Sequence, residues 1–273
     1  MPYYSRRQFL GQSAIAFLAQ PDLPLIDYHV HLNAKFSLEN AVAISKERNV
    51  KYGIAEHAGT KENRYPNILT NDAELQKWIA RLDPYPVYKG IQAEWLDWMG
   101  CFSKDVVAQL DFVLSDAMTI PDRNGQRTRM WVRGFEPGEA NEFMDRYVKW
   151  NVQVIETEPL DIFAHPTWLP APLDKDYDVL WTAERMKPII QALKRTGAAV
   201  EIDSAYKIPR MPFLELAKAA RLKFSFGSNS GSGPARAVDF CVETARSLGL
   251  RRKDIFIPAP RQRKPILRRK LKA

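Results

Sequence analysis

The sequence is short of the residues that build disulfide scaffolds and cysteine-rich metal sites. It has two cysteines, Cys101 and Cys241, and four histidines among 273 residues. The cysteines have no CxxC spacing, so they are either free thiols or one long-range disulfide. No apolar run is long enough to span a bilayer, and no solenoid-type repeat is present. These absences exclude disulfide-rich, membrane-spanning and repeat architectures.

The length and composition are those of one large globular domain. Hydrophobic residues make up 45% and charged residues 26% of the chain, which are ordinary values for a globular protein. The net charge of +8 is concentrated in residues 251–273, which hold ten Lys and Arg residues and one acid, Asp254. We interpret this segment as a basic tail that could contact nucleic acid or an anionic surface. A solvated terminus is an equal alternative, since no nucleic-acid-binding module is present.

The N-terminus carries a pattern typical of export. Arg6 and Arg7 precede Phe9 and Leu10, and a mildly apolar stretch follows over residues 12–19. This pattern resembles a bacterial twin-arginine signal, although no good cleavage site follows it. We therefore divide the chain into a signal segment (1–23), a barrel domain (24–250) and a basic tail (251–273). The signal predicts a periplasmic protein, and without it the protein is cytoplasmic.

Short apolar runs alternate with helical patterns along the barrel domain. Seven runs are strand-like, namely 25–32, 52–56, 87–94, 111–114, 162–164, 198–202 and 223–226. Helical spacing is clearest at 38–49, 72–82, 139–155 and 180–195, with Ser37 and Asn71 as N-caps and Gly197 at a helix end. Alternating strands and helices predict a parallel sheet. Seven strands favour an α/β fold of the distorted (β/α)7 TIM-like barrel type.

Polar residues collect at the ends of these strand-like runs. His29 and His31 end the first run and point to the same face of a strand. The other two histidines, His57 and His165, and the carboxylate of Glu94 end later runs. In such barrels functional side chains lie at the carboxyl ends of the strands. The pattern predicts one metal-binding site, because imidazole and carboxylate groups are metal ligands.

The order of these motifs resembles the polymerase-and-histidinol-phosphatase (PHP) domain over about residues 24–232. The matching segments are Asp27–His31, Ala55–His57, Lys89–Glu94, Phe163–Pro166 and Phe226–Gly231. The resemblance implies a (β/α)7 barrel with a phosphoesterase site of two or three metals. Four positions depart from the pattern: Asn229 replaces an aspartate, and Ser37, Met118 and Gly231 each stand where the family carries a histidine.

The resemblance also implies a ligand set. The metal ligands would be His29, His31, Glu94, Asn229 and His165. Because a thioether is a poor ligand for hard cations and an amide carries no charge, we expect one well-held divalent ion (Zn, Mn or Fe) and at most a partial second.

The implied reaction is hydrolysis of a small phosphate ester by a metal-activated water. Glu94 would ligate the metal, and His57 and His165 would move protons. The phosphate would be held by arginines of the loop after the fourth strand (Pro121–Pro137), which covers the predicted catalytic face. These are Arg123, Arg127, Arg129 and Arg133, with Arg64 as a further candidate.

Two alternatives remain from the sequence. The first is a degenerate PHP-like protein that binds a metal or ligand without turnover. The second is an amidohydrolase-type enzyme, which also opens with His-x-His but normally carries later histidines and a final aspartate that this chain lacks. Glu201 and Asp203, after the sixth run, either support the ligands or cap a helix.

Overall fold

Seven parallel strands close into a barrel in the computed structural model, which describes residues 23–122, 124–229 and 238–268. The barrel strands follow the order β1-β2-β3-β4-β7-β8-β9, and β9 closes against β1. Their bounds are β1 Ile26–Val30, β2 Lys51–Ala58, β3 Tyr88–Ala93, β4 Phe112–Ser115, β7 Ile162–Phe163, β8 Ala199–Asp203 and β9 Phe224–Gly227. The predicted fold class is confirmed, and each barrel strand lies at one of the seven predicted runs.

Helices on the outside connect the strands. They are α1 Leu38–Arg48, α2 Asp72–Leu82, α3 Lys104–Val107, α4 Ala140–Thr157, α5 Ala171–Asp174, α6 Tyr177–Leu180, α7 Ala183–Thr196, α8 Met211–Ala219, α9 Asp239–Ser247 and α10 Pro265–Arg268. The side chains of Ser37 and Asn71 accept hydrogen bonds from the first turns of α1 and α2. Gly197 ends α7 in the left-handed conformation (φ 79°). These caps define the helix ends because they satisfy backbone groups that the helix itself leaves unpaired.

The barrel interior is filled by apolar and aromatic side chains below the polar end. Tyr28 and Phe112 are fully buried, with ring centroids 5.2 Å apart. The ring of Phe112 lies so close to Gly90 that a β-carbon there would be 2.1 Å from its Cζ atom. This packing makes the barrel a solid core, so a ligand cannot bind inside it and must bind at one of its ends.

The segment after the fourth strand is a hairpin, where the sequence predicts a loop. Strands β5 (Thr119–Pro121) and β6 (Arg127–Arg129) pair antiparallel, with Thr119 opposite Arg129. Such three-residue strands carry too few alternating positions to be recognised from sequence. The hairpin projects from the carboxyl end of the barrel and brings arginine side chains towards it.

The described part of the basic segment packs against the amino-terminal end of the barrel. The backbone N–H of Phe256 donates to the carbonyl of Phe224 at 2.7 Å, and the Phe256 ring packs 5.2 Å from that of Tyr28. Lys264 is buried, and its ammonium donates to the carbonyl of Asp111. Residues 251–268 thus form part of the barrel's closed end, far along the strands from the histidines.

The predicted export signal (1–23) lies outside the described residues except for Leu23. Of the helices that the structure describes, none is long and apolar enough to cross a membrane.

Candidate functional site

The four histidines meet at the carboxyl end of the barrel. His29 and His57 lie within β1 and β2, His31 follows β1, and His165 follows β7. The ring centroids are 4.9 Å apart for His29 and His165, 5.1 Å for His29 and His31, and 4.7 Å for His31 and His57. Parallel strands bring their carboxyl ends to one edge, so residues far apart in sequence become neighbours here.

His29 is held by a partner on each ring nitrogen. Its Nε2 donates to the side-chain oxygen of Gln92 at 3.0 Å, and its Nδ1 lies 2.7 Å from Oε1 of Glu201. Burial by itself lowers the pKa of His29, but the Glu201 carboxylate outweighs it and the net pKa is raised. The same pairing lowers the pKa of Glu201 against the effect of its burial. His29 therefore holds the Glu201 carboxylate in position from the barrel wall.

His165 and Asp203 form a buried pair without hydrogen bonds between them. Nδ1 of His165 lies 3.3 Å from Oδ2 of Asp203 and 3.6 Å from Oε2 of Glu201. Neither Nδ1 nor Oδ2 has a hydrogen-bond partner among the described residues. Burial alone lowers the pKa of His165, but Asp203 and Glu201 together raise it to about 9. Nδ1 and the carboxylate oxygens thus converge on one position, where a proton or a cation would satisfy them.

The spacing of these atoms is that of ligands on a single metal ion. Two ligands about 2.1 Å from a tetrahedral ion lie roughly 3.4 Å from each other, close to the 3.3 and 3.6 Å observed for His165, Asp203 and Glu201. With His29 included, four buried residues each offer a ligand atom within 4.8 Å of the others. This group, which we call the buried cluster, could bind a divalent cation.

A further carboxylate of the site, that of Glu94, is paired with His57. Oε1 of Glu94 lies 2.7 Å from Nδ1 of His57, and the ring of Tyr65 stacks on His57 at 3.7 Å. Burial lowers the pKa of His57 to about 4. Burial, and then the charge of Asp116, raise the pKa of Glu94 well above its usual value. Both shifts favour uncharged groups, so the pair shares protons and can either donate or accept one.

His31 is a neutral imidazole with a defined tautomer. Its Nδ1 donates to the carbonyl of Ala55 at 3.0 Å. Burial, followed by the charges of His57 and His29, lowers its pKa well below the usual value. Because a carbonyl only accepts, Nδ1 carries the proton and Nε2 carries the lone pair.

A cavity of about 160 Å³ lies above the buried cluster. It is lined by His31, His57, Tyr65, Gln92, Asp116, Met118, Trp131, His165, Tyr206 and Asn229. This volume equals roughly five waters of the liquid, which limits the cavity to a small molecule or to one end of a larger one. His165 of the buried cluster and His57 of the His57–Glu94 pair both line the cavity, which therefore lies between these two groups.

Strained backbone surrounds this cavity. Two residues that line the cavity and follow barrel strands have left-handed backbone without being glycine: His165 (φ 47°) and Asn229 (φ 46°). Such conformations are uncommon for side-chain-bearing residues and concentrate at functional sites. They support the cavity as the functional site of the barrel.

The predicted ligands divide between two places. His31, His165 and Asn229 line the same cavity, and His29 lies beneath it in the barrel wall. Glu94 lies instead with His57, and its place beside His29 is taken by Gln92 and Glu201. The mid-chain Met118 is buried and also faces the cavity. The structure thus brings the four histidines together but gives them different carboxylate partners.

The predicted arginines differ in their surroundings. Arg127 is engaged by Asp97, Asn63 and Thr60. Arg129 lies over the ring of Tyr65 at 5.3 Å. The remaining three are Arg64 and Arg133, which are exposed, and Arg123, which lies outside the described residues.

The sequence indicates the two carboxylates of the buried cluster only weakly. Glu201 and Asp203 are two residues apart in β8, so they share one face of a strand that is otherwise apolar. Gln92 occupies the same register two residues before Glu94, but a single amide in a strand is not distinctive. Tyr65 comes from the loop after β2, where no periodicity indicates its position.

Comparisons with known proteins leave the family open. No family model matches the chain, and no curated protein matches it. Among solved structures, the HpcH/HpaI aldolase from Desulfitobacterium hafniense DCB-2 is similar at 12% identity and a TM-score of 0.37. That match covers 83% of this chain and 92% of the aldolase.

The expectation of a PHP-type phosphoesterase is wrong. The similar solved structure is an aldolase rather than a phosphoesterase. The ligand set that the resemblance implies stays a prediction: Glu94 lies 2.7 Å from His57, and the ring nitrogens of His29 contact Gln92 and Glu201. Of the expectations from the sequence, the barrel is confirmed, and the structure contains a buried cluster that could bind a metal.

Proposed function

We propose that this protein is a metal-dependent enzyme that transfers protons to and from a small polar substrate. The observation that carries the proposal is the buried pair His165 and Asp203, whose facing atoms lack hydrogen-bond partners among the described residues and lie 3.3 Å apart. His165, Glu201 and Asp203 would hold the ion. When bound, a divalent cation supplies an electrophile that polarises a carbonyl or hydroxyl oxygen.

The surrounding residues support the metal position. The carboxylate of Glu201 receives the backbone N–H of His165 at 2.8 Å and the side chain of His29 at 2.7 Å. The second oxygen of Asp203 accepts from the backbone N–H of Tyr206 at 2.6 Å. Such outer contacts orient carboxylate ligands and are typical of metal sites.

The His57–Glu94 pair would carry the proton. It lies on the wall of the same cavity, and its ring is fixed by stacking on Tyr65 and by the bond to Glu94. It would take a proton from the substrate, which places a positive charge on the imidazole beside the anionic substrate, and would return that proton in a later step. This combination suits reactions that deprotonate a carbon or hydroxyl next to a polarised carbonyl.

Metal binding is tested by titrating Mn²⁺ and Zn²⁺ into the full chain while following calorimetric heat and metal content. We expect about one ion per chain. Asp203→Asn should weaken metal binding by at least about tenfold. Loss of a residue that only hydrogen-bonds to a metal ligand already costs about tenfold to a hundredfold. The control Asp178→Asn alters an exposed carboxylate paired with Arg210 and should bind as the wild type does. Equal binding by both variants would remove the buried cluster as the metal site.

Proton transfer is tested by NMR of hydrogen exchange in D2O with a panel of small 2-oxo acids, beginning with pyruvate. The metal-loaded wild type should exchange the protons next to the carbonyl. His57→Asn should retain the metal and lose exchange by about a hundredfold or more, the usual contribution of a general acid–base group. Exchange that survives in His57→Asn would exclude this residue as the proton carrier.

A further inference from the structure

Arg129 differs from the other described arginines of the hairpin in what it contacts. Its guanidinium carbon lies 5.3 Å from the ring centre of Tyr65 and 6.0 Å from that of Trp131. In the described part of the chain its guanidinium makes no ion pair and no hydrogen bond. Tyr65 and Trp131 both line the cavity above the buried cluster, so the cation lies next to two of its wall residues, while Arg129 itself lines a neighbouring pocket of about 710 Å³.

The fold holds this arginine in place by its backbone. Arg129 pairs with Thr119 across the β5–β6 hairpin, and the next residue, Met130, donates its N–H to the carbonyl of Met118 at 3.1 Å. Met130 itself is buried. The side chain of Arg129 therefore starts from a fixed point next to the cavity wall.

Arg127, two residues earlier on β6, has a structural role, because its guanidinium is occupied by neighbouring side chains. Its guanidinium is bonded to Asp97, Asn63 and Thr60 and lies over the ring of Trp95 at 5.4 Å. These partners leave it little capacity for a ligand. The guanidinium of Arg129 carries the same N–H donors, and within the described residues none of them is used, so they can bind a ligand.

We propose that Arg129 binds an oxyanion group, carboxylate or phosphate, of the substrate that occupies the 160 Å³ cavity. Asp116, Glu201 and Asp203 lie at this end of the barrel, so a cation beside the cavity would offset their repulsion of an anionic substrate. A guanidinium fork binds a planar or tetrahedral oxyanion through two parallel hydrogen bonds. This inference rests on the proposed function for the identity of the substrate site, and it adds the chemical class of the substrate.

The test is calorimetric binding of oxalate and of inorganic phosphate to the Mn²⁺-loaded full chain. Arg129→Met should weaken binding of the preferred anion by roughly tenfold to a hundredfold, the usual loss for hydrogen bonds to a charged group. Arg129→Lys keeps the charge without the fork and should give an intermediate loss. The arm with the larger loss identifies carboxylate or phosphate as the group recognised.

The matched control is Arg133→Met, which removes an exposed arginine four residues along the chain. It should bind both anions as tightly as the wild type. Equal affinities for Arg129→Met, Arg133→Met and wild type would overturn the inference.

The experiment also separates this inference from the proposed function. Mn²⁺ affinity is measured on the same samples and should not change in Arg129→Met. If anion binding depends on Arg129 but no 2-oxo acid undergoes exchange, the oxyanion site stands and the proton-transfer proposal fails. If exchange occurs with equal anion affinity in Arg129→Met, the proton-transfer proposal stands and this inference fails.

Discussion

Gly227→Ala is the substitution that most directly tests how tightly the buried cluster is packed. Gly227 ends β9, beside Asp203 in the neighbouring strand. A β-carbon at this position would lie 2.0 Å from Oε1 of Glu201, 2.7 Å from its Cδ, and 3.0 Å from Cβ of His29. The first distance is far below van der Waals contact, so the Glu201 carboxylate must move away.

Moving the carboxylate breaks its bond to His29 in a fully buried setting. Removing one partner of a buried ion pair costs about 3–5 kcal/mol, and overpacking alone costs about 1–3 kcal/mol. These two effects arise from the same displacement, so we expect a total loss of about 3–5 kcal/mol. At roughly 2–4 °C per kcal/mol for a chain of this size class, the midpoint of thermal unfolding should fall by about 6–20 °C.

The assay is thermal and urea unfolding followed by circular dichroism. Gly100→Ala is the matched control, since its added β-carbon meets no atom within 4 Å, and it should change stability by less than about 1 kcal/mol. The double variant Gly227→Ala with Glu201→Ala should be strongly non-additive, because the second change removes the group that the first displaces. A loss below about 1 kcal/mol in Gly227→Ala, or additive losses in the double variant, would refute the argument.

Two further predictions concern the opposite end of the barrel. Gly90→Ala places a β-carbon 2.1 Å from Cζ of Phe112, so it should lower the free energy of unfolding by about 1–3 kcal/mol. Urea unfolding should show that adding Phe112→Leu restores part of this stability. If it restores none, the Phe112 ring is not the obstacle. Burial lowers the pKa of Lys264 from 10.5, so the unfolded chain binds this proton more tightly and stability should rise as pH increases through the folded pKa towards 10.5. Lys264→Met should remove that rise in urea unfolding measured against pH, and an unchanged slope would exclude Lys264 as its source.

Much of the architecture follows from the sequence because it depends on local pattern. Short apolar runs, N-caps such as Ser37 and Asn71, and the glycine at 197 each act within a few residues, and they predict the seven barrel strands and the main helices. The placement of all four histidines at one end of the barrel follows in turn, since parallel strands share their carboxyl edge. His29 and His31 therefore indicate the site before any coordinates are known.

Only the tertiary structure decides which carboxylate meets which histidine. Glu94 and Glu201 both end barrel strands, but the register and twist of the closed barrel direct Glu94 to His57 and Glu201 to His29. A family resemblance could not give these pairings, because matching motifs preserve residue order and not side-chain contacts. The sequence by itself thus determines the barrel and its functional end. The partners, the protonation states and the cation position depend on distances of a few ångströms between strands far apart in the chain, and these are established only by folding.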